Sequence, residues 1–585
     1  MEHPRFFRRG SSQDLVVLLH AYMGSPARLG ALRRAVERDL PDADLLLPRL
    51  PAGWASLASP TAIVQDVLTQ IDRAWQQAGA QPYRRIVLVG HSLGGLVARM
   101  VYVCACGAQP GTQPGAPDIA ADAPRPWARR VERIVLLAGM NRGWRISHHL
   151  SPLDALLWRL GSGWGNLLWL LSGRPPLIFS LRRGAPFITQ LRIHWLHMRN
   201  RAAALGAGDA LTIQLLGSVD DMVSPEDNVD LVSGRDFVYL DVPYSGHANV
   251  IDLDDPRPLP ATVAGEAART VGEARAAVFR AALNRSAADL LQDAVVPSDL
   301  LPEAQRREVT DVVFVIHGIR DVGYWTHKIA RRVLTLARRL PGERKVLATE
   351  TSSYGYFPML PFLLPTRRKE KVEWLMDQYA EALARYPCAA FSFVGHSNGT
   401  YLLARALRDY PACRFKHVVF AGSVVRTRYD WQAAIRRGQV RRVLNYVASA
   451  DWVVAFFPRA IQMLHWQDLG SAGHDGFDDA PADAVRQVRF VRGGHGAALN
   501  EANWDAIARF VLTGETLEPP AAIAADRQAR AVAWPARVAP LLWAGILSAV
   551  AFAYPAIWGL ALAEWQRALL VAGFTGLIWK IVTVV

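Results

Sequence analysis

Short apolar runs punctuate the chain, separated by longer segments of mixed polarity. Leu15–Leu19, Ile86–Val89, Ile134–Leu137, Val312–Ile316, Phe391–Val394 and Val418–Ala421 each hold at most one polar side chain. A strand with one face in water alternates apolar and polar residues, and these runs do not alternate. The pattern predicts strands buried on both faces, which means a mostly parallel sheet flanked by helices. Ligand-handling loops of such a sheet gather at the carboxyl ends of its strands.

The runs also repeat in order. Arg84–Val89 leads into Gly90-His91-Ser92-Leu93-Gly94-Gly95, and Ala389–Val394 leads into Gly395-His396-Ser397-Asn398-Gly399-Thr400. Upstream, Leu15–Leu19 with His20-Ala21 parallels Val312–Ile316 with His317-Gly318. Downstream, Ile134–Gly139 parallels Val418–Gly422, and Gly217-Ser218-Val219-Asp220-Asp221-Met222-Val223 parallels Ala448-Ser449-Ala450-Asp451-Trp452-Val453-Val454. Ser245-Gly246-His247 and Gly494-His495 close the series. Five anchors in one order, each after a strand-like run, predict two copies of one fold.

Composition narrows the class. A 585-residue chain that is 51% hydrophobic is not disordered. Its formal charge of +14 is spread over short clusters with no zinc finger or RNP-like motif, so no nucleic-acid partner is expected. Four cysteines without zinc spacing exclude a disulfide framework and a structural metal, and fit a reducing compartment. Val538–Ala563 carries no charge and Ala568–Val585 carries only Lys580. These runs predict two transmembrane helices over 538–585, turning at Glu564–Arg567. Arg527, Arg530 and Arg537 before the first run, against Arg567 in the turn, place the large N-terminal part in the cytoplasm.

The repeated motifs resemble those of α/β-hydrolases of the lipase and esterase kind, over most of residues 11–255 and 308–515. Gly-x-Ser-x-Gly after a strand and before a helix is similar to the nucleophile turn of that superfamily. The resemblance implies Ser92 as nucleophile, His247 as general base and Asp220 as the acid that orients it, with Asp221 the rival acid. In the second copy it implies Ser397, Asp451 and His495, with His474 competing for the role of base. Backbone N–H groups of Leu93 and Tyr22, and of Asn398 and Ile319, would form the oxyanion holes. Ala21 departs from the usual His-Gly at the first of these loops, and His20 is expected to brace the loop rather than move protons.

The copies differ in one place above all. Gly139 to Gly217 spans 78 positions where Gly422 to Ala448 spans 26. The surplus predicts a helical lid at about 140–210, bearing Trp144, Trp158, Trp164, Trp169 and Trp195 among arginines. With Trp534, Trp543, Trp558, Trp565 and Trp579 of the tail these make up ten of the 19 tryptophans, a distribution suited to a membrane interface. In the second copy, Tyr354–Pro365 with Arg367-Arg368-Lys369 is expected at the bilayer surface or at a domain interface. The expected layout is thus two tandem α/β-hydrolase domains, 1–255 and 308–515, joined by a helical linker at 256–307. A linker at 516–537 and a membrane hairpin follow. The expected activity is cleavage of a carboxylic ester or thioester of a lipid-like substrate through an acyl-enzyme, with no metal or organic cofactor and an anionic membrane as partner. Acyl transfer on the same residues, or a scaffold with one or both domains inactive, remains open at this level.

Overall fold

In the computed structural model the described residues are 5–9, 12–79, 82–108, 124–144, 161, 163–165, 168–169, 172–218, 230, 234–259, 269–295, 305–321, 323–340 and 345–583. They form two compact units, one ending by residue 304 and the other beginning at 305.

The first unit is built on β1 (Arg5–Phe7), β2 (Asp14–Leu19), β3 (Asp44–Leu47), β4 (Arg85–His91), β5 (Val131–Leu137), β6 (Leu211–Gly217) and β7 (Val238–Val242). Their order in the sheet is β1-β3-β2-β4-β5-β6-β7, parallel throughout except for the β1 edge. Helices α1 (Gly30–Asp39), α2 (Pro60–Gln77), α3 (Leu93–Ala105), α4 (Leu177–Ser180), α5 (Pro186–Leu205), α6 (Val271–Asn284) and α7 (Ala287–Gln292) surround it. The two-residue period of a strand decides which core each side chain joins. Leu15, Val17, Leu19, Ile86, Leu88, Ile134 and Leu136 pack with residues of α2, α3 and α5. Val16, Leu18, Val87, Val89, Val135 and Leu137 pack on the opposite face with α1 and α6. That double burial is why the runs are unbroken in the sequence.

The second unit is mixed α/β of the same plan. Its strands are β8 (Asp311–Ile316), β9 (Leu347–Glu350), β10 (Ala390–His396), β11 (Phe415–Ala421), β12 (Val440–Ala448) and β13 (Val485–Val491). The order β13-β12-β11-β10-β8-β9 is wholly parallel and matches β7-β6-β5-β4-β2-β3 of the first unit. Its helices are α8 (Tyr324–Ala337), α9 (Met359–Leu363), α10 (Pro365–Arg385), α11 (Asn398–Asp409), α12 (Trp431–Arg436), α13 (Trp452–Met463) and α14 (Trp504–Thr513). Then come α15 (Arg530–Ala536), α16 (Ala539–Trp558) and α17 (Glu564–Thr583). One face buries Val313, Val315, Val394 and Val419 against α8 and α14. The other is aromatic, with Phe314 edge-on to Phe391 and Phe415 at 5.7 and 5.8 Å and Tyr379 edge-on to Phe391 at 5.2 Å.

Four expectations need correction. The stretch 256–307 is not a free linker: α6 starts on a reciprocal Thr270–Glu273 cap and buries Ala276, Phe279, Ala282 and Leu283 against the first sheet. Nor is 516–537 free, since Ala525 exchanges backbone hydrogen bonds with Phe490 of β13 (3.2 and 2.9 Å) and α15 packs on α13. Of the expected lid, the described C-terminal part belongs to the body. α5 packs on α3, and Trp195 is fully buried with the Arg99 guanidinium 4.6 Å from its ring. Trp144 is buried as well, Trp164 is exposed, and Trp158 lies outside the described residues. The tail turns at 559–563 rather than at Glu564–Arg567, because Glu564 opens α17. Among the described residues one helix, α16, is long and apolar enough to cross a membrane, with a mean hydropathy of 1.7 and only Ala539 of it buried.

If α6 is part of the first core, Phe279→Ala should destabilise the first unit by about 3–5 kcal/mol, the range for a buried aromatic truncated to alanine. Denaturant unfolding followed by a probe in that unit measures it; a loss below about 1 kcal/mol would return α6 to the status of a linker.

Candidate active site

Each central strand ends in a serine held in a rare backbone conformation. Ser92, between β4 and α3, has φ 53° and ψ −115°; Ser397, between β10 and α11, has φ 51° and ψ −119°. Such a conformation costs about 1–3 kcal/mol in a residue with a side chain and persists only where its surroundings enforce it. The serine N–H groups donate to Leu137 and Ala421 carbonyls, both at 3.0 Å, tying each turn to the next strand. The glycines of the motif exist for space. A Cβ on Gly90 would lie 2.4 Å from the Gly94 backbone, and one on Gly94 would lie 2.2 Å from Leu19 O. On Gly399 it would stand 2.6 Å from Ile316 O.

In the first unit the loop after β7 delivers His247, whose Nε2 accepts the Ser92 hydroxyl at 2.9 Å. His91 Nε2–H donates to His247 O at 2.8 Å and so ties down the backbone that carries the His247 ring. Arg275 of α6, wholly buried, supports this loop from the other side. Its guanidinium donates to Pro243 O, Asn249 O and Asp252 O at 3.3, 3.0 and 3.2 Å, to Tyr244 O, and to the Asp255 carboxylate at 3.3 Å. Asp220 and Asp221 lie outside the described residues.

The second unit pairs its histidine with a carboxylate. His495 Nδ1–H donates to Asp451 at 3.0 and 3.2 Å, which leaves Nε2 unprotonated in the neutral ring. Asp451 is fully buried, and its Oδ1 also accepts Val454 N–H at 3.0 Å, capping α13. His396 repeats the role of His91, with Nε2–H directed to His495 O at 3.3 Å. Burial and the neighbouring His495 push His396 down to about 3, so its ring is neutral and can hold that donor. No hydrogen bond joins Ser397 to His495 among the described residues. Gly422, at φ 54°, passes so close that a Cβ would stand 2.8 Å from the His495 ring. His474, the rival base, is buried 1% exposed with neither ring nitrogen bonded, and burial lowers its pKa; it does not meet Ser397.

The loops after β2 and β8 complete each site. His20 accepts Leu50 N–H on Nε2 at 2.9 Å and therefore donates from Nδ1 to Ala21 O at 2.9 Å, a bracing role. His317 does the same, to Gly318 O at 2.8 Å, with Ser353 Oγ on its other nitrogen. Tyr354 stacks on His317 at 4.3 Å, places its hydroxyl 3.0 and 2.8 Å from His317 O and Gly318 O, and accepts Asn398 Nδ2–H at 3.2 Å. Tyr354, Phe357 and Phe362 are buried in the second unit, whereas Tyr356, Leu360 and Leu364 of the same stretch are exposed. A Cβ on Gly318 would stand 2.7 Å from Ser397 Cβ, so the loop runs directly over the Ser397 turn. Leu93 and Asn398 open α3 and α11, where helix N–H groups have no intrahelical acceptor. Among the described residues no protein acceptor takes the N–H of Leu93, Tyr22, Asn398 or Ile319.

Sequence reasoning missed His91, His396 and Arg275. The first two were available from the repeat, since both copies place histidine before the serine. Arg275 stands in an alanine-rich helix with nothing in its neighbours to mark it.

Solved structures similar to this chain include a lipase-esterase related protein from Clostridium acetobutylicum (14% identity, 43% of this chain and 93% of that one, TM-score 0.26). A carboxylesterase from Nitrososphaera gargenis (13%, 43% and 88%, TM-score 0.26) and the NocB thioesterase domain (15%, 48% and 99%, TM-score 0.27) are others. No protein-family model and no curated protein matches the sequence.

Arg275→Met should free the loop that carries His247. Amide exchange across residues 243–255 should rise by about tenfold or more, since several buried carbonyls lose their donor, while β4 and β5 stay protected. Unchanged exchange in that loop would show that other contacts fix it.

Proposed function

We propose that the chain is a membrane-anchored serine hydrolase with two tandem α/β-hydrolase domains, cleaving carboxylic esters or thioesters of a lipid-like substrate. The observation that carries this reading is the 2.9 Å bond between His247 Nε2 and Ser92 Oγ on a strained turn. A serine hydroxyl is a weak nucleophile until a base accepts its proton, and that contact provides the base. Ser92 attacks the ester carbonyl as its proton passes to His247, and the oxyanion is met by the N–H groups of Leu93 and Tyr22. The tetrahedral intermediate then collapses. His247 returns the proton to the departing alcohol or thiol, and the acyl group stays on Ser92. Water, deprotonated by the same histidine, attacks the acyl-enzyme and releases the acid. Asp220 is assigned to orient His247 and stabilise its cationic form, with Asp221 the alternative.

In the second domain Ser397, His495 and Asp451 take the same parts, with Asn398 and Ile319 supplying the oxyanion donors. The Asp451–His495 bond supports this, because it leaves Nε2 as the free base. Hydrogen bonds to a catalytic serine are often long before substrate binds, so the missing Ser397 contact does not exclude it. The chemistry requires no metal or organic cofactor. α16 serves as the anchor, and the arginines before it set the hydrolase domains on the cytoplasmic side.

Hydrolysis of a short water-soluble ester tests the reading. Ser92→Ala and Ser397→Ala should each remove one share of the rate, and the double variant should fall by about 10⁴-fold or more, as when a catalytic serine is lost. A double variant with undiminished turnover would overturn it.

A further inference from the structure

Both walls of the second site rest on the C-terminal helices. α13, which begins at Asp451, packs along α15 and α16, with Phe457 edge-on to Trp543 at 5.5 Å. On the other wall the segment bearing Tyr354 runs into α9, which packs on α17. The walls join where Gln467 Nε2–H donates to Leu363 O at 3.2 Å. The outward surface of this junction carries several large apolar side chains. Leu464 at the end of α13 is 62% exposed and Trp466 beyond it 70%, with Met463, Leu360 and Leu364 exposed beside them. Trp452, next in sequence to Asp451, is 61% exposed.

Large apolar side chains gathered on one rim mark a contact with something other than water. Here α13 and α9, which lead into the rim, pack on α16 and α17; α16 is an exposed apolar helix of membrane-spanning length, and the exposed Arg527, Arg530 and Arg537 precede it. Cations beside tryptophans and leucines complement anionic headgroups above an acyl layer. We propose that this rim lies in the interfacial layer of the anchoring bilayer, so that the Ser397 site draws its acyl ester from the membrane surface. The proposal rests on the ester-hydrolase reading and adds where the second site finds its substrate. α13 then links the buried acid to the membrane, because Asp451 caps the same helix that meets α16.

The test uses the full chain in vesicles of phosphatidylcholine and phosphatidylglycerol. An environment-sensitive fluorophore is placed by Leu464→Cys in a Cys388→Ser background, Cys388 being the exposed native thiol. Quenching by lipids with a nitroxide near the headgroup is expected, and stronger than by lipids with a nitroxide near the chain end. A label that lipid nitroxides do not quench would overturn the proposal, whether it faces water or is covered by a second copy. In a Ser92→Ala background, Leu464→Ser with Trp466→Ser should cut hydrolysis of a vesicle-borne ester by about tenfold or more, the order expected when two large side chains lose apolar burial. Hydrolysis of a water-soluble ester should stay unchanged. Equal loss on both substrates, or on neither, would overturn the surface role. Absence of any hydrolysis in the Ser92→Ala background would instead refute catalysis at Ser397, and the quenching result would still locate the rim.

Discussion

Everything at the two sites depends on a serine forced into a backbone conformation that serine avoids. At φ near 50° and ψ near −115° the residue stores strain, and only a tight fit between a central strand, a following helix and the loop after a neighbouring strand retains it. The glycines on either side are consequences of that fit, because the chain passes within van der Waals distance of itself at Gly90, Gly94 and Gly399. Parallel strands buried on both faces make the turn rigid.

The histidine loops are positioned by different means around a shared device. In both units the histidine preceding the strained serine donates to the carbonyl of the histidine that follows the last strand (His91 to His247, His396 to His495). The first unit adds Arg275, whose buried guanidinium gathers several carbonyls of the His247 loop. The second uses Asp451, which binds the histidine ring and caps α13 at once. A buried arginine is tolerated there because its donors are matched by carbonyls and by Asp255.

Much of this was legible in the sequence. Unbroken apolar runs gave away strands buried on both faces, and the repeat located the strained serine turns, the loops after β2 and β8, and the histidines. What the sequence concealed lies in segments of weak pattern. The alanine-rich stretch around Phe279 reads as a connector because alanine carries little hydrophobic signal, yet Phe279, Ala282 and Leu283 are fully buried. Residues 523–525 pair with β13 through backbone atoms, an interaction that leaves no trace in side-chain periodicity. The tryptophans of the insertion suggested a lid, but composition does not distinguish a ring facing lipid from one packed in a core. Trp195 is the second kind, stacked with Arg99 and edge-on to Phe237 at 5.6 Å.

The central claim is that the strained serines are activated nucleophiles. Its most direct test is reaction of the folded, detergent-solubilised chain with a fluorophosphonate, with the adducts located by peptide mass spectrometry. Phosphonylation of Ser92 and of Ser397 is expected, and of no other serine at comparable rate. Folded protein that acquires no adduct at either position would contradict it.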